Sequence, residues 1–147
     1  MKNKIKFNDV MLVSVINGGK TQTRRPIKPQ PKVTEDELRK LGAWQEGYTL
    51  SEQICAAWRH GFIDDNCPYG EIGDIINFAD KDGNIKGEIE IADVWLQQVQ
   101  DISQEDATAE GFDGDISDFS VGWAATYGID SWMNNEWVWV IEFKKVN

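Results

Sequence analysis

Histidine is almost missing from this chain: His60 stands alone among 147 residues. A two-histidine acid–base mechanism is therefore excluded, and proton transfer falls to lysine, carboxylates or hydroxyls. Cysteine is nearly as scarce. Cys55 and Cys67 are the only two, and with no CxxC pair and no histidine partners they make a poor zinc site. A disulfide between them fits their number, but nothing in the sequence indicates export. The apolar run from Val10 to Ile16 is short and no small-residue cleavage site follows it. No run reaches the ~20 residues that cross a bilayer. The expectation is a reduced, soluble, cytoplasmic protein with no metal, no cofactor and no membrane partner.

Basic residues are few as well, 15 Lys and Arg against 25 Asp and Glu for a net charge of −10, yet they are unevenly spread. Residues 1–32 hold eight of them against Asp9 alone, a local charge of +7 that leaves −17 on the remainder. A non-specific grip on long RNA or DNA needs a broad basic face to neutralise phosphates. Only one end of this chain offers that, so a small ligand or a short nucleic-acid segment fits better. What the chain does have is aromatic bulk: seven tryptophans, most of them expected in the core. The length suits one domain and hardly two.

Along the chain, "IKFNDVMLVSVINGG" predicts a short strand at Ile5–Phe7 and then a helix. Asn8 is its N-cap, Asp9 suits its positive end, and Gly18 or Gly19 closes it in the left-handed region. "KTQTRR" is extended in character, and "PIKPQPKV" reads as a linker or surface loop. Residues 34–66 predict a helical surface elaboration, with Thr34 and Glu37 as a capping box and Ser51 opening a second helix through Trp58. A strand at about Asp74–Ala79, a hairpin turn at Asp82-Gly83 and a return strand with Ile85, Gly87, Ile89 and Ile91 on one face follow. Ser103 with Asp106 caps a short helix closed by Gly111. A longer helix over Ile116–Tyr127 carries Phe119, Trp123 and Tyr127 as a stripe that reads as core packing. The last strand, "EWVWVIEFKK", puts Trp137, Trp139, Ile141 and Phe143 on one face. The expected class is α+β, with a mixed or mainly antiparallel sheet curled into a small barrel and helices outside it.

"INGGKTQTRR" ends like a phosphate loop, but the match fails. A P-loop needs its first glycine where Ser14 stands, and it must open a helix, whereas this Gly-Gly ends one. Lysine, threonine and arginine together can instead activate a hydroxyl, bind an oxyanion or hold a carbonyl-rich heterocycle. A threonine nucleophile needs a base, and Lys20 serves only if burial and the cations Arg24 and Arg25 lower its pKa. The plainer reading of these six residues is a solvated basic strand end. In a straight strand Lys20 and Thr23 face opposite sides, so their cooperation requires a bend or bulge.

The order of helix, "GGKTQTRR", "GD" before a strand, "DISQEDATAEGF" and "WVWVIEF" resembles the ASCH domain family of the PUA-like superfamily. That family's G-x-K-T-x-T-x-R signature is met by Gly18, Lys20, Thr21, Thr23 and Arg25, and the setting looks most like small phage- or prophage-encoded members. The resemblance covers residues 1–25 and about 68–147, leaving a helical insertion at about 33–66 within a single domain. It implies a PUA-like β-barrel with a cleft for RNA or a modified nucleoside. Some compact members remove the acetyl group of N4-acetylcytidine with a lysine, a threonine and a glutamate. Those positions fall on Lys20, Thr23 and Glu110, with Glu105 as the competitor should the helix register slip. Thr21, Arg24 and Arg25 are the neighbouring ligand-binding candidates. For Glu110 the plainer role is a solvent-facing helix end, for Asp74 a turn, and for Trp137 and Trp139 core packing.

Three function classes stay open. One is an amidohydrolase acting on a nucleoside, with ribonuclease chemistry disfavoured by the lone histidine. Another is a non-catalytic RNA-binding module in the same basic cleft. The third is a phage accessory protein that meets a host protein through its acidic surface.

Overall fold

A computed structural model describes residues 3–31, 35–40, 44, 46–59, 66–112 and 115–146. The chain begins with strand β1 (Lys4–Lys6) and helix α1 (Asp9–Asn17). Asn8 caps α1 by accepting a hydrogen bond from the Met11 amide, and Gly18 ends it at φ 85°. A side chain there would be strained, so the glycine turns the chain toward strand β2 (Gln22–Pro26). Helices α2 (Glu35–Lys40) and α3 (Leu50–Arg59) follow, then β3 (Ile75–Ala79) and the long β4 (Ile85–Gln98). A single 3-10 turn leads to α4 (Gln104–Ala109), α5 (Ile116–Tyr127), α6 (Ile129–Met133) and β5 (Trp137–Lys145).

The strands form one mixed sheet in the order β1-β3-β4-β5-β2, with β1 parallel to β3 and every other pair antiparallel. The fold is α+β. The curl stops short of closure, because β1 and β2 are the two edges and carry no ladder between them. A side chain crosses the seam instead: Arg25 Nη2 on β2 donates to the Lys6 carbonyl of β1 at 2.8 Å.

Strand β5 lies inside the sheet, between β4 and β2, and is buried on both faces. Trp137, Trp139, Ile141 and Phe143 enter one core with Ile5, Phe78, Ile89 and Ile91, while Val138 and Val140 enter a second core with Phe119 and Trp123 of α5. The tryptophans of β5 thus pack inside, and Trp139 meets Trp58 edge-on at 5.4 Å. Strand β4 runs past the predicted alternation because its register shifts between Ile91 and Asp93. That bulge moves the inward set by one residue, so Val94 and Leu96 continue the buried face.

The middle of the chain departs from expectation. Helix α3 is no surface elaboration: Ile54, Cys55 and Ala57 belong to the main core, together with Leu38 of α2. Its N-terminal box is made by Thr49 and Glu52, each accepting from the other's amide. Ser51, expected to open this helix, is buried; its hydroxyl donates to Asp101 and accepts from the Gln98 amide. The Thr34–Glu37 capping box lies outside the described residues. The proline-rich stretch is a loop after Pro26, as expected, but it is anchored to the sheet. Ile27 is core and its amide bonds to the Trp137 carbonyl at 3.1 Å, and Gln30 clamps Trp137 from both sides of its peptide.

Candidate active site

The site is built where α1, α4 and β2 meet. After Gly19 the Lys20 amide bonds to the Ser14 carbonyl of α1 and the Thr21 amide to the Ala109 carbonyl of α4. The Thr21 carbonyl accepts from the Phe143 amide of β5. Lys20 therefore precedes β2 in a fixed turn, and the period-two rule that opposes it to Thr23 does not govern it.

From that turn Lys20 Nζ reaches Glu110 twice, at 2.7 Å to carboxylate Oε2 and 2.7 Å to its backbone carbonyl. The other carboxylate oxygen accepts from Arg24 Nη1 at 3.0 Å. All three residues are buried, at 4%, 5% and 2% exposure for Lys20, Glu110 and Arg24. Arg24 is fixed further by Gln22 Oε1 at 3.0 Å, Gln97 Oε1 at 3.0 Å and Asp106 Oδ2 at 3.3 Å. Gln22 in turn donates to Asp106 at 3.2 Å. Every buried polar atom among the described side chains has a partner, which is what makes such a cluster tolerable in a low-dielectric setting.

Burial pushes the Lys20 ammonium below its ordinary value. The Glu110 carboxylate opposes this by charge and hydrogen bond, and Arg25 and Arg24 add a smaller push downward. Thr23 is buried as well, and its Oγ1 accepts from Arg25 Nε at 3.1 Å. That bond leaves the hydroxyl hydrogen free to be donated or removed.

Lys20, Thr23, Arg24, Arg25 and Glu110 all line one cavity of about 500 Å³. This volume is ordinary for a small-molecule site. Its walls carry the bases Lys6 and Lys81 as well, and among the described residues Glu110 is the one acid in the lining. Five basic side chains thus line one cavity of an acidic protein. The aromatic wall comes from Phe7, Phe112, Phe119, Trp123 and Tyr127, so the α5 stripe serves both the second core and the cavity.

Burial separates the candidates read from the sequence. Glu105 is exposed whereas Glu110 is buried and faces Lys20. Thr21 is exposed and absent from the cavity wall, its backbone alone being engaged. Asp74 serves a turn, accepting from the Glu71 amide at 2.8 Å. Sequence reasoning missed Gln22, Gln97 and Asp106 as the residues that hold Arg24; Asp106 lies 82 positions from Arg24, and no local pattern marks this role. Cys55 and Cys67 are free thiols. Among the described residues no His, Cys, Asp and Glu cluster is placed to hold a metal ion, and no helix is long and apolar enough to cross a membrane.

No family model matches the chain, and no curated protein matches it. Solved structures do. An ASCH domain from Lactobacillus crispatus JV V101 superposes with a TM-score of 0.57 at 14% identity, covering 94% of this chain and 71% of that one. The chain has an ASCH-type fold. Protein EF3133 from Enterococcus faecalis V583, with the family model DUF984, gives a TM-score of 0.57 at 15% identity over 99% of this chain and 80% of that one. The hypothetical protein PH0355 gives 0.55 at 14% identity over 99% and 100%. At such identities the ASCH-type fold is what is shared, and the chemistry rests on this chain's own residues.

Proposed function

We propose that the cavity binds a modified cytidine-type nucleoside and hydrolyses its exocyclic N-acetyl amide, as in N4-acetylcytidine. The observation that carries this reading is the buried Lys20–Glu110 pair lining the same cavity as Thr23, together with aromatic rings. Flat apolar walls suit a planar heterocycle, and the polar end suits its amide.

In the proposed reaction Lys20 acts as a free amine once substrate is bound, having passed its proton to Glu110 across the 2.7 Å contact. Burial of Lys20 favours loss of that proton. Thr23 Oγ attacks the acetyl carbon while its proton passes to Lys20. The tetrahedral oxyanion is steadied by the Arg25 guanidinium, already bonded to Thr23 Oγ1. Collapse breaks the C–N bond, and Glu110 gives its proton to the leaving cytosine nitrogen. Water then attacks the acetyl-threonine ester, losing a proton to Glu110, while Lys20 returns one to Thr23 Oγ. Acetic acid leaves and the starting protonation is restored.

The test is cytidine release from N4-acetylcytidine by the purified protein and by Lys20→Ala. Release that collapses in the variant supports the reading; absence of release at high enzyme concentration sinks it. A non-catalytic RNA-binding module is the second reading, favoured by the basic rim of Lys6, Lys81 and Arg25. It requires salt-dependent RNA binding that weakens in Arg25→Ala, with no product formed.

A further inference from the structure

A second cavity of about 420 Å³ lies on the far side of Arg25 and Tyr127, which belong to the walls of both. Its other contributors include Lys28, Asn66, Tyr69 and Trp139. None of these is used by the chemistry proposed above, yet the two spaces share a wall of only a few side chains.

Arg25 is the informative member of that wall. Its neighbour Arg24 is neutralised by Asp106 and Glu110, whereas among the described residues no carboxylate lies within salt-bridge distance of Arg25. Among the described residues it bonds only the Thr23 hydroxyl and the Lys6 carbonyl, at 3.1 and 2.8 Å, leaving guanidinium N–H groups without a partner there. The guanidinium sits between two rings, 5.2 Å from the Phe7 centroid in the first cavity and 5.9 Å from that of Tyr69 in the second. Lys6 on one side and Lys28 on the other are exposed and likewise have no ion-pair partner among the described residues. Three cations with no ion-pair partner among the described residues thus follow the line from one cavity to the next in a protein of net charge −10. A planar, aromatic-backed guanidinium with free donors is suited to a phosphate. The half-buried Tyr69 beyond it offers a face on which a base can stack.

We propose that the second cavity receives the phosphodiester-linked neighbour of the cytidine, so that the ligand is a modified residue within an RNA segment rather than a free nucleoside. This rests on the nucleoside reading of the first cavity. The phosphate sits against Arg25 between Lys6 and Lys28, and the neighbouring base stacks on Tyr69. The +7 charge of residues 1–32 then serves one phosphodiester step rather than a long duplex.

The experiment is a binding titration of the full chain with cytidine, cytidine 3′-monophosphate and the dinucleotide cytidylyl-3′,5′-adenosine, followed by calorimetry. None carries an acetyl group, so failure of the hydrolase reading leaves this test intact. Release of cytidine from the free nucleoside with no dinucleotide gain would sink this proposal alone. The dinucleotide is expected to bind at least ~30-fold more tightly than cytidine, with the monophosphate between them, as one stacked base and one phosphate contact imply. Lys28→Glu and Tyr69→Leu are expected to remove most of that gain and leave cytidine binding unchanged. Lys28 is exposed, so its variant reports even if Tyr69→Leu fails to fold. Equal affinity for cytidine and dinucleotide, a monophosphate that reproduces the whole gain, no binding of any of the three, or dinucleotide affinity unaltered in Lys28→Glu would each overturn the proposal.

Discussion

Lys20 and Glu110, 90 positions apart in sequence, meet at 2.7 Å inside the protein, and Arg24 holds the opposite oxygen of the same carboxylate at 3.0 Å. One buried anion thus organises two buried cations.

Glu110→Gln keeps the shape of that carboxylate and removes its charge, leaving Lys20 without its anionic partner and Arg24 with Asp106 alone. Breaking a buried pair in this way costs about 3–5 kcal/mol. A chemical-denaturation midpoint lowered accordingly is expected, with a smaller loss in Lys20→Met, where Glu110 keeps Arg24. Equal stability of Glu110→Gln and wild type would show that the pair contributes no net stabilisation.

The alkaline pH dependence follows from Lys20. Its folded pKa lies below the ordinary 10.5, so between the two values the unfolded chain holds a proton that the folded chain has released. Stability from this group rises with pH through that window, is full above 10.5, and is lost as pH falls through the folded value. Denaturation midpoints measured across the alkaline range should carry this component in wild type and lack it in Lys20→Met. Parallel profiles would contradict a lowered lysine.

Gly122 of α5 has no room for a methyl group, because a Cβ would stand 2.9 Å from Phe112 Cζ. The Phe112 ring lines the cavity, and it is the group that must move. Gly122→Ala is expected to raise KM for a nucleoside substrate several-fold. Stability should change by no more than about 1 kcal/mol, since alanine favours the helix. An unaltered KM would place the ligand away from Phe112.

Helix α3 can be tested as core. Ile54 is fully buried, so Ile54→Ala should cost about 2–5 kcal/mol by thermal or urea unfolding. A loss below about 0.5 kcal/mol would return α3 to the status of a surface elaboration.

Much of the frame is legible in the sequence where local chemistry sets it. Asn8 and Gly18 bracket α1, Ser103 opens α4, and the alternating apolar residues of β5 mark a strand, because each signal acts within a few residues. Legibility fails where partners are remote. Ser51 looks like a helix cap and is in fact a buried link to Asp101 and Gln98, while Thr49 does the capping. Strand β4 continues past Ile91 because a bulge resets its alternation, and no residue type announces that. In the site, the Lys-Thr-x-Thr-Arg run is visible as a motif, but its bend is set by the bonds of Lys20 to Ser14 and Thr21 to Ala109. Asp106 reads as a capping-box partner and also anchors Arg24, a role that only the fold reveals.

The most direct test is cytidine release from N4-acetylcytidine, measured side by side for wild type, Lys20→Ala, Thr23→Ala and Glu110→Gln, each confirmed folded by circular dichroism. Wild type is expected to turn over, and each variant to lose at least ~100-fold in kcat/KM, the scale of a missing acid–base or nucleophilic group. No turnover by wild type, or turnover that survives in Thr23→Ala and Lys20→Ala, would contradict a hydrolytic site built on these three residues.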